Sequence, residues 1–346
     1  MKKSIKNLTG LVIGCGSIGE RHLRNLKKIG VRKILVYDKD HRVLDKLSEE
    51  YNAKIFYDLN SALTYEPNFS IICTHPNSHV MLANACVNAN SHVFVEKPLS
   101  SNLSGVVSML KRARSKNLQV AVGYNLRFDQ SLQFVKNKLM KSGIGSPASI
   151  TSQWGNNIKF WKSYKKNHHY VLRKGGGIIL EDSHEYDYVR WLLDDEVKSV
   201  YCQTIKSTAI KTETESLASI ILKFKRGTIA NLILDYMRPE WERNCHIIAE
   251  KGDIRCEYRK EKGLSEYPSI PISATLEMKF TRRKPRPKKF PIRFDMNDSY
   301  IKELQHFLQC VIRNKKPIVD GWEGLKTLKI GLAALESAKK GKIIKF

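Results

Sequence analysis

No apolar run in the 346-residue chain reaches the roughly 20 residues of a membrane-crossing helix, so a helical membrane protein is excluded. Cysteine is sparse and unpaired in pattern: Cys15, Cys73, Cys86, Cys202, Cys245, Cys256 and Cys310 are scattered, with no Cys-x-x-Cys pair and no histidine cluster at metal-ligand spacing. A disulfide scaffold and a structural metal site are therefore not indicated, and reduced thiols in a cytoplasmic protein are expected. Internal repeats and long linkers are lacking. The Met-Lys-Lys start imitates a signal peptide, yet the apolar run after it is short and belongs to the motif described below.

Acidic residues are also in short supply, 34 against 60 Lys and Arg, leaving a formal charge of +26. Such an excess can draw an anionic partner. Here lysine is spread along the whole chain, which equally fits a generally basic protein. The densest stretch, Lys279 to Phe294, holds eight basic residues in sixteen and no acid, with three prolines that forbid a helix. It reads as a solvated loop or hairpin edge, or as a cradle for phosphate or carboxylate. Interleaved aromatics are too few for a base-stacking platform, so no nucleic-acid partner is expected.

The length suits two domains. Up to residue 124, short apolar runs alternate with helical stretches, as in a doubly wound parallel sheet of Rossmann type. Ser70–Thr74, His92–Glu96 and Gln119–Gly123 read as buried strands whose ends carry Thr74, Glu96-Lys97-Pro98 and Tyr124-Asn125. In such sheets the ligand lies beyond the carboxyl ends of the strands. From 125 to 346 the pattern becomes α+β: a helix over Gln130–Lys141, then segments read as antiparallel strands at Ala148–Gln153, Val197–Thr204, Ser216–Phe224, Thr228–Tyr236 and Cys245–Ala249. Two amphipathic helices follow, near Asp298–Arg313 and after Trp322. A large, mostly antiparallel open sheet covered on one face by helices is expected, its other face available to a second subunit.

The sharpest motif is Leu11-Val12-Ile13-Gly14-Cys15-Gly16-Ser17-Ile18-Gly19, followed by a helical stripe (Leu23, Leu26, Ile29) and a second strand, Ile34–Tyr37, closed by Asp38. Gly14 permits the tight turn, Gly16 lets the backbone approach a pyrophosphate, and Gly19 lets the helix pack on the strand with its free N–H groups facing the anion. Asp38 lies where a carboxylate accepts hydrogen bonds from the adenosine ribose. It would repel a 2′-phosphate, whereas Lys39 and Arg42 beyond it could attract one. NAD is favoured, with NADP the alternative. Ser17, Ile18, Lys39, Thr74, His75, His79, Glu96 and Lys97 complete the expected cofactor contacts.

Two constellations could carry chemistry. Lys97 follows a buried strand and precedes Pro98, which holds it extended and fixes where its side chain points. A partly buried lysine there could take a substrate hydroxyl proton as hydride leaves the same carbon; alternatively, Glu96 and Lys97 form a surface ion pair. The second runs from Gly175-Gly176-Gly177 into a helix on which Glu181, His184 and Asp187 fall near one face. A histidine bracketed by carboxylates can relay a proton near neutral pH, or the same residues cap the helix above the stripe Val189, Leu192, Leu193. His168 and His169 are weaker candidates.

On these motifs the chain resembles the Gfo/Idh/MocA family of sugar and inositol oxidoreductases over nearly its whole length. The glycine loop, Glu96-Lys97-Pro98, the Gly123-Tyr124-x-x-Arg127-Phe128 segment, His184 and the Asp187-x-x-x-Trp191-Leu192 pattern all correspond. Leu180 stands where many members carry Asp, with Glu181 one residue later, and His75 replaces a proline. The resemblance implies Lys97 and His184 as the catalytic pair with Glu181 beside them, and hydride transfer between a nicotinamide and a secondary hydroxyl of a sugar, cyclitol or sugar nucleotide, the last of these suggested by members that act on bacterial surface sugars. Substrate contacts are expected at Lys97, Tyr124, Arg127, Trp161, Tyr164, Arg173, His184 and Asp187, in a homodimer or homotetramer. The rivals are a non-catalytic NAD(P)-binding protein holding an anionic partner, and an enzyme whose tightly held cofactor is reduced and reoxidised within one cycle.

Overall fold

The computed structural model of the chain describes residues 4–141, 143–160, 175–210, 212–260, 271–281 and 286–346. Two compact units emerge, Met1–Tyr124 with Tyr300–Leu328, and Asn125–Ser299 with Lys329–Phe346. The sequence pattern alone suggested a single boundary after residue 124.

In the first unit, six strands form a parallel sheet: β1 (Thr9–Ile13), β2 (Lys33–Tyr37), β3 (Lys54–Phe56), β4 (Phe69–Ile72), β5 (His92–Val95) and β6 (Val120–Val122). Their order, β3-β2-β1-β4-β5-β6, reverses direction between β1 and β4, the switch point at which doubly wound sheets bind dinucleotides. The linking helices are α1 (Ser17–Ile29), α2 (His41–Tyr51), α3 (Leu59–Leu63), α4 (His79–Asn88) and α5 (Val106–Ser115). β4 is buried at every position, as a strand covered on both faces must be.

The second unit contains α6 (Gln130–Lys141), β7 (Pro147–Gly155), α7 (Ile178–Glu181), α8 (His184–Leu193), β8 (Val197–Ile205), β9 (Leu217–Phe224), β10 (Ile229–Asp235), β11 (Glu242–Ala249), β12 (Gly252–Lys260), β13 (Pro271–Phe280) and β14 (Lys288–Asp295). Two long helices, α9 (Asn297–Arg313) and α10 (Gly321–Lys340), precede a short β15 (Ile344–Lys345). The apolar stripe of α9, Leu304, Phe307, Leu308 and Val311, is buried with Phe69 and Phe94 of β4 and β5, which is why residues after 300 belong to the first unit.

The nine-stranded sheet runs β14-β13-β12-β11-β7-β10-β9-β8-β15. One departure from the expected antiparallel reading is that β7 pairs parallel with β10, Ile229 opposite Ser149 through Asp235 opposite Gly155. A parallel neighbour needs a long crossover, and here α7, α8, β8 and β9 supply it. β9 alternates strictly, with Ala218, Ile220, Leu222 and Phe224 buried and Ser219, Ile221 and Lys223 exposed. The described part of the basic stretch from Lys279 lies at the end of β13 and along β14, and β14 is an edge strand with Lys and Pro along it, a composition that blunts edge-to-edge pairing.

Candidate active site

The glycine loop can be tested residue by residue. Gly14 sits at φ +86°, where a side chain is strained, and a Cβ there would lie 2.8 Å from the Thr74 methyl and 2.9 Å from its backbone nitrogen. A Cβ on Gly19 would lie 2.0 Å from the Gly14 carbonyl oxygen, so only glycine lets α1 approach the end of β1 this closely. Around Gly16 a Cβ would meet nothing within 4 Å: its smallness keeps a space open at the head of α1 and does not serve internal packing. That open cradle, beside uncapped first-turn N–H groups, fits a pyrophosphate.

Asp38 closes β2 and turns its carboxylate to the loop, accepting the Cys15 N–H at 2.6 Å and the Asp40 N–H at 2.9 Å. Arg42 is tied to Asp40, its Nε and terminal nitrogen 3.0 and 2.9 Å from the carboxylate oxygens, which leaves exposed Lys39 as the neighbouring cation not paired in this way. At the end of β4, Thr74 Oγ1 lies 2.7 Å from Ser78 Oγ, and His75 accepts the Ser78 hydroxyl on its carbonyl. His79 is buried, its ring nitrogens 2.9 and 3.0 Å from the Pro98 and Thr74 carbonyls, so it ties two strand ends together.

Lys97 is half-buried at the end of β5, its peptide to Pro98 cis. Glu96 is not its surface partner. That carboxylate is buried, 2.6 Å from His22 Nε2 through one oxygen, while the other accepts the Lys97 backbone N–H at 3.1 Å. Burial works against its charge, but the His22 hydrogen bond and charge, with the Lys97 ammonium, outweigh it and hold Glu96 below the usual carboxylate range. A buried His22–Glu96 pair thus fixes the backbone that presents Lys97. Gly123 permits the fit, because a Cβ there would lie 3.1 Å from the Glu96 carboxyl carbon, and Tyr124 after it is fully buried.

In the second unit, the expected continuous helix through His184 is broken. α7 ends at Glu181, Asp182 leaves helical geometry at φ −103°, ψ 38°, and α8 begins at His184, so Glu181, His184 and Asp187 do not share one helical face. α7 is a single turn capped at its start by a residue distant in sequence, the Ile179 N–H donating 3.1 Å to Glu215 Oε1. Burial pushes the Glu215 carboxyl up, partly offset by backbone N–H groups. The Tyr236 phenol is raised well above its ordinary value by burial, with Glu181, Asp182 and Glu215 adding to it.

Two residues expected to touch substrate have turned to each other. Arg127 donates from Nε and a terminal nitrogen to the two Asp187 oxygens, both at 2.8 Å, in a bidentate pair with side chains 4% and 1% exposed. Residues that sequence reasoning passed over form a buried cluster on Glu185, next to His184 in the chain: Arg243 bonds Glu185, whose other oxygen accepts the Ser152 hydroxyl at 2.5 Å, and Tyr188 Oη lies 2.5 Å from the same hydroxyl. A signal was present, since Arg243 is in phase with buried Cys245, Ile247 and Ala249 on β11. A charge on the core face of a strand demands a buried partner. Trp161, Tyr164, Arg173, His168 and His169 lie outside the described residues.

Residues 8–124 match the family profile described as "Oxidoreductase family, NAD-binding Rossmann fold", and residues 136–346 match its C-terminal alpha/beta domain. The chain belongs to the Gfo/Idh/MocA family. This family member is an NAD-dependent oxidoreductase. It is 27% identical over 345 residues to myo-inositol 2-dehydrogenase of Thermotoga maritima, covering 96% of this chain and 97% of that one. Among solved structures, it shares the fold of myo-inositol 2-dehydrogenase from Lactobacillus plantarum at TM-score 0.81 and 22% identity, covering 98% and 99% of the two chains. The WlbA dehydrogenase from Bordetella pertussis, solved with NADH and UDP-GlcNAcA, superposes at TM-score 0.79 and 20% identity over 98% of each chain.

Proposed function

We propose that this oxidoreductase interconverts a secondary hydroxyl and a ketone on a sugar, cyclitol or sugar nucleotide. The observation that carries the reading is Lys97, half-buried at a strand end of the Rossmann sheet and presented there by the buried Glu96–His22 pair. The nicotinamide ring, when bound, supplies the hydride acceptor or donor. Gly14, Gly16, Ser17, Ile18 and Gly19 would hold its pyrophosphate, Asp38 the adenosine ribose, and Thr74, His75 and Glu96 the segment nearest the ring.

In the oxidative direction the neutral Lys97 amine takes the hydroxyl proton, so that negative charge does not build on oxygen as the C–H bond opens. In the second unit His184 is the proposed proton-handling residue by family resemblance, and Glu181, which ends α7 shortly before α8 begins at His184, is the acid proposed with it. Arg127 and Asp187 act indirectly, because each neutralises the other and together they anchor α8. Tyr124, expected to touch substrate, is fully buried and has no face exposed to it.

The direct test is a screen of purified protein for NADH formation at 340 nm against inositols, sugars and nucleotide sugars, followed by Lys97→Met on any active substrate. Turnover should fall by at least ~10³-fold with NAD affinity within about twofold of wild type. Retained turnover removes Lys97 from the mechanism.

We also propose a cytoplasmic homo-oligomer. Seven free, buried cysteines support a reducing compartment, and Ile221, Ile229 and Ile248, each at least 40% exposed on the second unit's sheet, support self-association there. No helix among the described residues is long and apolar enough to cross a membrane. Light scattering on the protein and fractionation of cells read these two points; a monomer or a membrane-bound pool overturns them.

A further inference from the structure

The junction between α7 and α8 holds more buried charge than a helix start needs. Arg243 projects from β11, an interior strand between β12 and β7. Its Nε donates to Glu185 Oε1 at 2.8 Å, and a terminal nitrogen lies 3.6 Å from Asp182 Oδ1. The three residues are 6%, 0% and 5% exposed. Asp182 stands two residues before His184 and Glu185 one after it, so a single guanidinium grips the chain on both sides of the histidine.

We propose that Arg243 is the positioning residue for His184, clamping Asp182 and Glu185 so that the turn carrying the imidazole has one fixed geometry. The inference rests on the proposed part of His184 in the reaction. Local structure alone does not supply that geometry: α7 has only four residues, Asp182 is outside the helical basin, and Ser183 makes no side-chain cap for α8. Backbone bonds close the turn, Glu185 N–H to Asp182 O at 3.2 Å and Asp187 N–H to Ser183 O at 3.1 Å. Arg243 grips this turn from the sheet on both sides of His184, because its planar fork meets carboxylates from two directions and its stem leaves a strand hydrogen-bonded on both sides. The Ser152 hydroxyl on β7 holds the second Glu185 oxygen, giving the clamp a footing on a neighbouring strand.

A purely structural role is the rival. Buried ionic clusters are commonly replaceable by neutral or apolar groups without loss of stability. A cluster retained for folding alone should therefore be dispensable once its charges are removed together, whereas one retained for positioning should not. The decisive variant is Arg243→Met/Asp182→Asn/Glu185→Gln, which removes the three clamp charges together, compared with Arg243→Lys, which keeps the charge and loses the fork.

Two readouts apply to full-length protein: kcat and KM with NAD and the best substrate from the screen, and the His184 imidazole signal in a 1H–13C NMR spectrum, assigned by its loss in His184→Gln. The neutral triple variant should fold, keep its NAD affinity, lose about 100-fold in kcat with KM changed less than threefold, and show a shifted or split His184 signal. Arg243→Lys should recover about a tenth of the wild-type kcat. A triple variant with wild-type kcat and an unaltered His184 signal overturns the proposal. If the triple variant fails to fold, Arg243→Lys decides alone, an unchanged signal and kcat overturning it. If the wild type itself turns over no substrate in the screen, the reading of the reaction falls, and the NMR signal still decides whether Arg243 holds His184.

Discussion

Gly16 and Gly19 stand three residues apart in one motif, yet the structure assigns them different burdens, and replacing each with alanine separates the two. At position 19 the added methyl would sit 2.0 Å from the Gly14 carbonyl oxygen and 3.5 Å from the Cys73 Cβ. The obstacle is backbone, so α1 must retreat from β1 by more than an ångström for ordinary contact. Overpacking of this kind costs about 1–3 kcal/mol, or roughly 2–12 °C in melting temperature for a domain of 150 to 250 residues. At position 16 the methyl meets nothing, and φ −66°, ψ −168° is ordinary extended backbone that alanine adopts freely. Stability should then stay within about 0.5 kcal/mol of wild type. NAD affinity should fall in both variants, by about 5- to 150-fold for the same 1–3 kcal/mol clash, now with the pyrophosphate at position 16. Differential scanning calorimetry gives the stabilities and isothermal titration gives the affinities. A Gly16→Ala protein that melts several degrees low, or one that binds NAD normally, would refute the assignment of Gly16 to the cofactor.

Asp38→Ala should weaken NAD more than NADP and move the ratio of their affinities toward NADP; an unmoved ratio in titrations with both means the ribose is held elsewhere. Removing one half of the buried Arg127–Asp187 pair, as in Arg127→Met, strands a charge and should cost about 3–5 kcal/mol in urea unfolding. The double variant Arg127→Met/Asp187→Leu should recover most of it, and an exposed or weakly coupled pair would show neither effect. Glu215 supplies a pH test. Its folded-state carboxyl is raised above the unfolded value by burial, so it contributes stability in acid that disappears as pH rises through the folded pKa. Glu215→Gln, which keeps an acceptor for the Ile179 N–H, should match wild type in acid and become the more stable protein toward neutral pH. Parallel stability curves at all pH values refute that placement.

Local rules carried the first unit. The glycines, the 3.6-residue stripe of α1 and the terminal Asp38 act within about thirty residues of one another, and each is dictated by backbone freedom or helix period, so their arrangement could be read in order along the chain. The same holds for the alternating burial of β9. Where the reading slipped, the cause was a partner distant in sequence. Glu96 looked like a mate for Lys97 because it adjoins it, but His22, 74 residues away, claims its carboxylate. Arg127 and Asp187 looked free because their contact spans 60 residues.

The helix through His184 obeyed helical spacing on paper, yet the backbone leaves the helical basin at Asp182, and the α7 start is capped by Glu215, a side chain 36 residues beyond Ile179. The parallel pairing of β7 with β10 likewise follows from a crossover that no strand pattern encodes. The sequence by itself determined the strand–loop–helix–strand order around the glycines, the apolar faces of α1, α9 and β9, and where a dinucleotide cradle is to be expected, because periodicity and glycine conformation are short-range properties of the chain. Only the tertiary structure decided which charges neutralise one another, because buried ion pairing depends on distance in space and each group can satisfy only the partner that the fold delivers to it.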